Sequence, residues 1–378
     1  MTPAARAAAA IAVLDGILAG DSAEHALTGW ARAARYAGSG DRAAVRDLVF
    51  QALRRRRSAA ALGGGDTGRG LILGLARAAG EAGWFAGAPH GPAPERPDEV
   101  GRVPAGDEAL DVPDWLSPRL RAALGADYAA VMQAMRDRAP VVLRANAARI
   151  GRDEAIARLA GEGIAARPHP LADFALEVTE GARKIQHSAC FASGLVELQD
   201  AASQAVVQAL PLADGLRVLD LCAGGGGKTL AMAARARLSL WAHDATPRRM
   251  ADLPLRATRA GVSVILTDSP EAAAPYDLIL TDVPCSGSGS WRRDPEGKWA
   301  LTPGRLAELA GVQDGILARA ATLAPRIAYA TCSFLREENE DRIAAFLSAH
   351  PDWRLQGEHR FTPLDGGDGF YLAILQQL

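Results

Sequence analysis

Residues 218–229 read Val-Leu-Asp-Leu-Cys-Ala-Gly-Gly-Gly-Gly-Lys-Thr, an apolar run with an acid near its end that continues into four consecutive glycines. The apolar part is typical of a short buried strand. Glycines let the following backbone turn sharply and approach a ligand closely. With a helix after the turn, the stretch predicts the opening unit of a parallel α/β sheet that binds a ligand at the turn.

Three kinds of ligand-binding loop compete for this stretch. A phosphate-binding loop reads G-x-x-x-x-G-K-[ST]; residues 227–229 fit its end, but Cys222 stands at its first glycine. A dinucleotide loop reads G-x-G-x-x-G, and Thr229 stands at its third glycine. A nucleoside-binding methyltransferase loop needs a strand, an acid and a glycine-rich turn, and Asp220 supplies the acid. The loop alone leaves all three open.

Short apolar runs recur after residue 200 with helical stretches between them, a pattern that favours a parallel, doubly wound sheet. The predicted strands are Arg217–Leu221, Leu238–His243, Ser263–Thr267, Leu278–Asp282 and Ile327–Thr331. The runs Trp353–Leu355 and Gly369–Leu375 fit a closing antiparallel pair.

The first 200 residues have a different pattern. Residues 1–80 show helical spacing, residues 86–113 are loop-like, and Leu116–Met135 is helical again. From Val141 to Leu198, strand-like runs alternate with a helical piece. A chain of 378 residues suggests two or three domains. We predict four segments: 1–80 helical, 81–138 a linker with a helical part, 139–198 a small α+β module, and 199–378 the α/β domain.

Composition narrows the class of protein. Apolar residues make up 49% and charged residues 23%, which fits a globular chain, and the net charge of −2 excludes a uniformly basic coat. No stretch is long and apolar enough to predict a membrane span, and the first residues do not fit a signal peptide. The four cysteines form no C-x-x-C pair, so no metal site is predicted. Few, scattered cysteines fit a reduced, cytoplasmic protein.

Acids follow three of the predicted strands after the glycine-rich turn. Asp244 lies where an acid can accept hydrogen bonds from ribose hydroxyls, Asp268 ends the next strand, and Asp282 the one after. Each alone would more often be a turn former or a helix cap. Together they outline a crevice at the carboxyl ends of the strands.

Two cysteines also follow predicted strands. Cys285 lies in Asp-Val-Pro-Cys-Ser-Gly-Ser-Gly at 282–289, and Cys332 in Ala-Thr-Cys-Ser at 330–333. Buried cysteines are often small apolar fillers. Here both lie in polar, turn-rich contexts at neighbouring strand ends, so we expect the two thiols to lie close together beside the cofactor loop.

These motifs resemble the Fmu/Sun (RsmB-like) family of S-adenosylmethionine-dependent RNA cytosine-C5 methyltransferases. Further motifs that carry the resemblance are Leu-Gln-Asp-Ala-Ala-Ser at 198–203, Arg-Arg-Asp-Pro-Glu at 292–296, Glu-Asn-Glu at 338–340 and Asp-Gly-Phe at 368–370. The resemblance implies a class I methyltransferase sheet of Rossmann-like fold. It also implies an all-helical NusB-like RNA-binding domain and a small α+β RNA-binding module ahead of the sheet.

The resemblance also implies roles for the site residues. Cys332 is the nucleophile that adds to cytosine carbon 6, Cys285 helps to release the methylated base, and Asp282 contacts the cytosine edge and lies near the cofactor. Asp244 would bind the ribose, and Asp268 would lie near the adenine. The residues implied to wrap the methionine part of the cofactor are Cys222, Ala223, Gly224, Gly225, Gly226, Gly227 and Lys228.

One departure concerns the cofactor loop. Family members usually read Cys-Ala-Ala-Pro-Gly-Gly-Lys, and here Gly224 and Gly225 replace Ala and Pro. We expect a looser loop and weaker cofactor binding.

Arginines are the candidate RNA contacts. Arg54, Arg55, Arg56 and Arg57 are consecutive, and a solvated helix end explains them about as well as an RNA phosphate contact. Arg292 and Arg293 directly follow the Cys285 loop and could form an RNA lip.

The resemblance implies an enzyme that forms 5-methylcytosine in small-subunit rRNA through a cysteine adduct, and we expect this enzyme to be monomeric and cytoplasmic. The alternatives are the same reaction on tRNA, a non-catalytic RNA-binding or ribosome-assembly factor and, less well supported because of Cys222, a P-loop ATPase.

Overall fold

The computed structural model describes residues 1–378, except for the side chain of Ala82. The chain folds into two compact units. The first comprises Met1–Arg138 together with Trp291–Ala300, and the second comprises Ala139–Ser290 and Leu301–Leu378. Our four-segment division of the chain stays a prediction.

The first unit is helical. Its N-terminal helices begin after capping hydroxyls, with the side chains of Thr2, Ser22 and Thr67 accepting hydrogen bonds from backbone N–H groups of the first turn. Alanine and leucine side chains of the first, third and fifth helices share one buried core. The helices are α1 Pro3–Leu18, α2 Ala23–Ala33, α3 Ser39–Arg54, α4 Arg56–Gly63, α5 Gly68–Ala79, α6 Gly106–Ala109, α7 Ser117–Leu124 and α8 Tyr128–Ala134.

The second unit opens with a four-stranded antiparallel sheet of order β2-β3-β1-β4. Its strands are β1 Val141–Ala145, β2 Ala165–Pro168, β3 Ala175–Glu180 and β4 Val196–Leu198, and its helices are α9 Arg152–Gly161 and α10 Ala189–Ala192. Leu143, Leu159 and Leu176 belong to its buried core.

A seven-stranded sheet of order β10-β11-β9-β8-β5-β6-β7 forms the rest of the second unit. Its strands are β5 Arg217–Asp220, β6 Ser239–Ala242, β7 Ile265–Leu266, β8 Leu278–Asp282, β9 Arg326–Thr331, β10 Trp353–Phe361 and β11 Phe370–Gln377. Strands β5 to β9 pair in parallel, and β11 pairs antiparallel with β9 and β10. The Rossmann-like fold and the terminal antiparallel pair predicted from the sequence are confirmed.

The remaining helices are α11 Ala201–Gln208, α12 Gly227–Arg235, α13 Leu253–Ala260, α14 Pro295–Ala300, α15 Pro303–Ala321 and α16 Glu340–Ala349. Both faces of the large sheet are buried, which explains why its strands read as continuous apolar runs. The chain order reverses between β5 and β8, so a crevice opens at their carboxyl ends, where ligands bind in such sheets.

Residues 291–300, including α14, fold with the first unit rather than with the sheet that precedes and follows them in the chain. The Arg54 Nε donates to the Arg292 carbonyl over 2.6 Å, and the Trp299 Nε1 donates to the Leu53 carbonyl over 2.7 Å. The Lys298 ammonium lies against the Trp299 ring, and burial lowers the pKa of that lysine to about 8.

Across the described residues, no helix combines the length and the hydrophobicity needed to cross a bilayer.

Candidate active site

The glycine-rich turn connects β5 to α12, as predicted. Gly226 precedes α12 with φ of +80°, a conformation that favours glycine, and a Cβ there would lie 2.2 Å from the Leu253 side chain. Leu253 is fully buried and cannot move aside cheaply. The turn therefore requires glycine at residue 226 for both its dihedral angle and its packing.

Side chains from outside the loop hold it in place. The Asp244 Oδ2 accepts a hydrogen bond from the Gly224 N–H over 2.9 Å and pairs with Arg249 at 3.1 Å. Arg256 donates to the Gly225 carbonyl, and Arg144 donates to the Gly227 carbonyl over 2.8 Å. Gly224 and Gly225, the two glycines that replace Ala and Pro, are thus bonded by Asp244 and Arg256. The expected looser loop and weaker cofactor binding stay predictions.

A cavity of about 410 Å³ lies between this loop and the ends of β8 and β9. Its lining includes loop residues of the predicted cofactor site, namely Cys222, Ala223, Gly224, Gly225, Gly227 and Lys228. Asp220, Asp282, Cys285 and Cys332 also line it. The predicted residues from three strand ends are therefore brought together around one space.

Asp244 and Asp268 are not among the described residues that line this cavity. Asp244 is buried behind the glycine loop and bonded to it, whereas Asp268 is exposed after β7. Their expected contacts with ribose and adenine stay predictions.

Lys228 and Asp282 form an ion pair inside the cavity. The Lys228 Nζ lies 2.7 Å from the Asp282 Oδ2 and 4.7 Å from the centre of the Phe370 ring. Burial opposes the lysine charge, but the Asp282 carboxylate outweighs it and raises the pKa of Lys228. The cavity therefore holds a fixed positive charge beside a carboxylate.

Asp220 is the deepest carboxyl of the site, with 1% of its surface exposed. Its Oδ2 accepts a hydrogen bond from the Thr229 hydroxyl over 2.6 Å, and its buried Oδ1 has no hydrogen-bond partner in the part of the chain that the structure describes. Burial raises the pKa of Asp220 to about 7. A buried, unpartnered carboxylate oxygen beside a cavity is suited to a hydrogen-bond donor of a bound ligand.

The thiols of Cys285 and Cys332 lie side by side, with 3.4 Å between their Sγ atoms. A hydrogen bond from Cys285 lowers the pKa of Cys332, helped by the Lys228 ammonium. The same hydrogen bond, burial and the nearby Glu338 carboxylate raise the pKa of Cys285. The pair therefore favours a thiolate on Cys332 and a protonated thiol on Cys285.

Cys222 belongs to the loop but is chemically different from these two. Burial, with the neighbouring acids, raises its pKa. It is suited to shaping the cavity rather than to nucleophilic chemistry.

The residues that our sequence analysis missed lie next to the motif residues. Gln199 and Ser203 line the cavity, and the Gln199 Nε2 lies 3.2 Å from the Ser203 Oγ. Both residues lie within the 198–203 motif, and membership of that motif was the one indication that they belong to a site. Their polar residue types alone did not assign them a function.

The arginines predicted to contact RNA have internal partners. Arg54 and Arg292 are buried within the first unit, and their RNA contact stays a prediction. Arg55, Arg56 and Arg57 are each paired with an aspartate 2.6 to 2.7 Å away. For these three and for Arg293 the RNA contact stays a prediction.

Comparison with known proteins identifies the family. Residues 207–376 match the family described as 16S rRNA methyltransferase RsmB/F, and residues 112–184 match the ferredoxin-like domain of RsmF/B-like methyltransferases. The chain is 38% identical over 282 residues to ribosomal RNA small subunit methyltransferase B of Sodalis glossinidius. It is 32% identical over 284 residues to the protein of that name from Yersinia pseudotuberculosis.

The chain belongs to the RsmB/F methyltransferase family.

The aligned regions cover 69% of this chain but 64% and 65% of those two relatives, slightly less than two thirds.

Among solved structures, PH0851 superposes over 100% of this chain and 99% of its own length, with a TM-score of 0.78 and 21% identity. A methyltransferase homologue from Pyrococcus horikoshii covers 71% of this chain and 96% of its own, with a TM-score of 0.63 and 25% identity. NSun6 from Pyrococcus horikoshii, in a structure with SFG, covers 70% of this chain and 98% of its own, with a TM-score of 0.61 and 17% identity. The RsmB/F fold is thus shared well beyond the sequence similarity.

Proposed function

We propose that this chain transfers the methyl group of S-adenosylmethionine to carbon 5 of a cytosine in small-subunit (16S) rRNA, through a covalent bond between Cys332 and carbon 6. The observation that carries the proposal is the Cys285–Cys332 pair, two thiols 3.4 Å apart beside a nucleoside-binding loop. The names of the curated relatives supply the class of RNA.

The cavity fits the methyl donor. Its glycine loop gives close backbone approach, and the partnerless Asp220 Oδ1 beside it can accept a hydrogen bond from an ammonium group. When bound, S-adenosylmethionine supplies an electrophilic methyl group on a positively charged sulfur. The NSun6 structure with SFG, an analogue of that cofactor, supports the same choice for this fold.

Cys332 performs the first step. Carbon 5 of cytosine is a poor nucleophile, but addition of a thiolate to carbon 6 makes carbon 5 electron-rich. The lowered pKa of Cys332 raises the fraction of that residue present as thiolate. The Asp282 Oδ2 is bonded to Lys228, which leaves Oδ1 to accept a hydrogen bond from the cytosine amino group. Asp282 thus orients the base against the nucleophile.

Cys285 acts in the release step. After methylation, the proton on carbon 5 must leave so that its electron pair re-forms the double bond and breaks the bond between carbon 6 and the Cys332 sulfur. Once Cys332 is bonded to carbon 6, its negative charge no longer raises the pKa of Cys285, which lies next to it. Cys285 can then lose its own proton to water, and we assign the resulting thiolate to receive the proton from carbon 5. Without Cys285 the enzyme should stall as an RNA adduct.

The target cytosine must leave its stack to reach this site. The cavity lies at the ends of strands, where a base within an intact helix cannot enter. The enzyme should therefore act on a single-stranded or opened cytosine. The cytoplasmic location and the monomeric state stay predictions.

The test is methyl transfer from labelled S-adenosylmethionine to separate pools of unmodified small-subunit rRNA, large-subunit rRNA and tRNA. We expect label on carbon 5 of cytosine in small-subunit rRNA, identified by mass. Label confined to tRNA would keep the chemistry and refute the substrate. No label in any pool, with cofactor binding intact, would favour the non-catalytic alternative.

A further inference from the structure

The Glu338 carboxylate lies behind the two cysteines and is fully buried. Its Oε1 accepts hydrogen bonds from the Ser286 N–H over 2.7 Å and from the Gln313 side chain over 3.2 Å. Its Oε2 accepts from the hydroxyls of Ser286 and Ser333, both over 2.5 Å. Four hydrogen bonds to one buried carboxylate compensate for its removal from water.

These donors belong to the two turns that carry the thiols. Ser286 directly follows Cys285, and Ser333 directly follows Cys332. The Gln313 side chain also donates to the Pro284 carbonyl, on the other side of Cys285. One carboxylate therefore ties the Cys285 turn to the Cys332 turn.

The direction of the hydroxyl bonds is fixed by the carboxylate. Ser333 donates its only hydroxyl proton to Glu338, so the Ser288 hydroxyl, 3.0 Å from the Ser333 Oγ, must donate to it. The Ser288 Oγ in turn accepts from the Phe334 N–H over 2.8 Å. The Glu338 carboxylate therefore sets the direction of these hydrogen bonds. Removing its negative charge would release the hydroxyls of Ser286 and Ser333.

Glu338 is itself anchored to β9. The Tyr329 hydroxyl donates to the Glu338 carbonyl over 2.5 Å, and the next residue, Asn339, bonds the Thr331 hydroxyl and the Ser333 carbonyl. The carboxylate is therefore held by the strand that ends at Cys332 and reaches across to the Cys285 turn.

We propose that Glu338 is a positioning residue that holds the Cys285 turn against the Cys332 turn, so that both thiols reach the same cytosine. This inference rests on the proposed function. It assigns no contact with RNA or cofactor to Glu338. It predicts that each serine transmits the effect of Glu338 to one thiol and therefore to one step of the reaction.

Two serine variants separate this role from a general loss of structure. Ser333→Ala should slow the formation of the RNA adduct about tenfold in a single turnover, because it frees the nucleophile turn. Ser286→Ala should form the adduct at close to the normal rate but accumulate it on denaturing gels, because it frees the release turn. A purely structural role would slow both steps together in both variants.

The decisive experiment measures adduct formation in a Cys285→Ala parent with and without Glu338→Gln. The charge-removing variant should form adduct about tenfold more slowly than the parent, with unchanged binding of S-adenosylhomocysteine measured by calorimetry. Asp341→Asn is the matched control, an exposed carboxylate of the following helix, and should equal the parent.

The outcomes are distinguishable. An adduct that forms equally fast with and without Glu338→Gln overturns the positioning role and leaves the proposed function standing. No adduct from the parent itself overturns the proposed function and this inference with it. If Glu338→Gln fails to fold, the serine variants decide: equal effects of both serines on both steps overturn the inference, and the split described above supports it.

Discussion

The two cysteines differ because their surroundings differ, although their sulfurs touch. Lys228 contributes a positive charge near Cys332, and the Glu338 carboxylate disfavours a second negative charge at Cys285. At Cys332 the Asp282 carboxylate opposes the effect of Lys228, so the hydrogen bond from Cys285 is the main cause of the lowered pKa of Cys332. This hydrogen bond is the physical support for the proposal that Cys332 is the nucleophile.

Cys285→Ala should raise the pKa of Cys332, because the hydrogen bond from Cys285 is the main cause of its lowered value. The rate of iodoacetamide alkylation, followed by peptide mass spectrometry across pH, measures this shift. Cys190 serves as the internal reference, since burial raises its pKa to about 11. An unchanged or lower pH midpoint for Cys332 in the variant would contradict the assignment of donor and acceptor.

Asp220 should make the cofactor-free protein lose stability as the pH rises. Its pKa is raised by burial from 3.8 to about 7 in the folded state, so between these values the folded protein holds a proton that the unfolded chain has lost. The stabilisation that the protonated Asp220 contributes to the folded state is fully present below about pH 4 and is lost as the pH rises towards 7.

Asp220→Asn should remove this contribution. The fall in melting temperature between pH 5 and pH 8, measured by differential scanning fluorimetry, should be smaller in the variant than in the parent. The same slope in both proteins would show that Asp220 does not titrate in this window.

At the scale of elements, the turn between β5 and α12 depends on Gly226 for two separate reasons. Gly215 provides a matched comparison, because it too has a positive φ, of +87°, but an added Cβ there meets nothing within 4 Å. Gly215→Ala therefore tests backbone strain alone, and Gly226→Ala adds the clash with Leu253.

Gly226→Ala should cost at least about 2 kcal/mol more unfolding free energy than Gly215→Ala and should abolish binding of S-adenosylhomocysteine. Chemical denaturation and calorimetry measure the two quantities. Equal stability and equal binding in the two variants would show that Leu253 yields to the added methyl group.

Much of the large sheet could be predicted from the sequence because both of its faces are buried. The five predicted parallel strands overlap β5 to β9. Of the predicted strand-end residues, Asp282, Cys285 and Cys332 line one cavity, whereas Asp244 and Asp268 are not among the described residues that line it. The strand β2 in the small module, Ala165–Pro168, was not predicted, because a half-exposed run of alanine, arginine and proline carries no apolar signal.

The sequence could not predict tertiary partners. Glu338 was visible only as part of a motif, since nothing in the sequence shows that a glutamate is fully buried and bonded to two turns 47 residues apart. For the same reason, the sequence could not decide whether the run from Arg54 to Arg57 is a solvated helix end or an RNA phosphate contact. The aspartates that pair with Arg55, Arg56 and Arg57 lie between 10 and 82 residues away in the chain.

At the scale of the whole molecule, the first unit is discontinuous in sequence. Within residues 291–300, Trp291 is 3% exposed. The Arg292 carbonyl and the Trp299 Nε1 form hydrogen bonds with residues at the end of α3. Removal of residues 1–138 would therefore take away the hydrogen-bond partners of this segment.

A fragment that starts at Ala139 should therefore be less stable than the full chain. Loss of Leu53 and Arg54 removes the hydrogen bonds of the Trp299 Nε1 and the Arg292 carbonyl, at a cost of about 2 kcal/mol or more. The melting temperature of the fragment should be lower, and added 1–138 fragment should restore part of it. Equal melting temperatures would contradict the discontinuous unit.

The central claim is that Cys332 forms the bond to the RNA. The most direct test incubates the Cys285→Ala variant with small-subunit rRNA and S-adenosylmethionine, digests the product and locates the nucleotide-bearing peptide by mass spectrometry. We expect a methylated cytosine on the peptide that contains Cys332, and none when Cys332→Ala is added. An adduct on another residue, or no adduct from a variant that still binds cofactor and RNA, would contradict it.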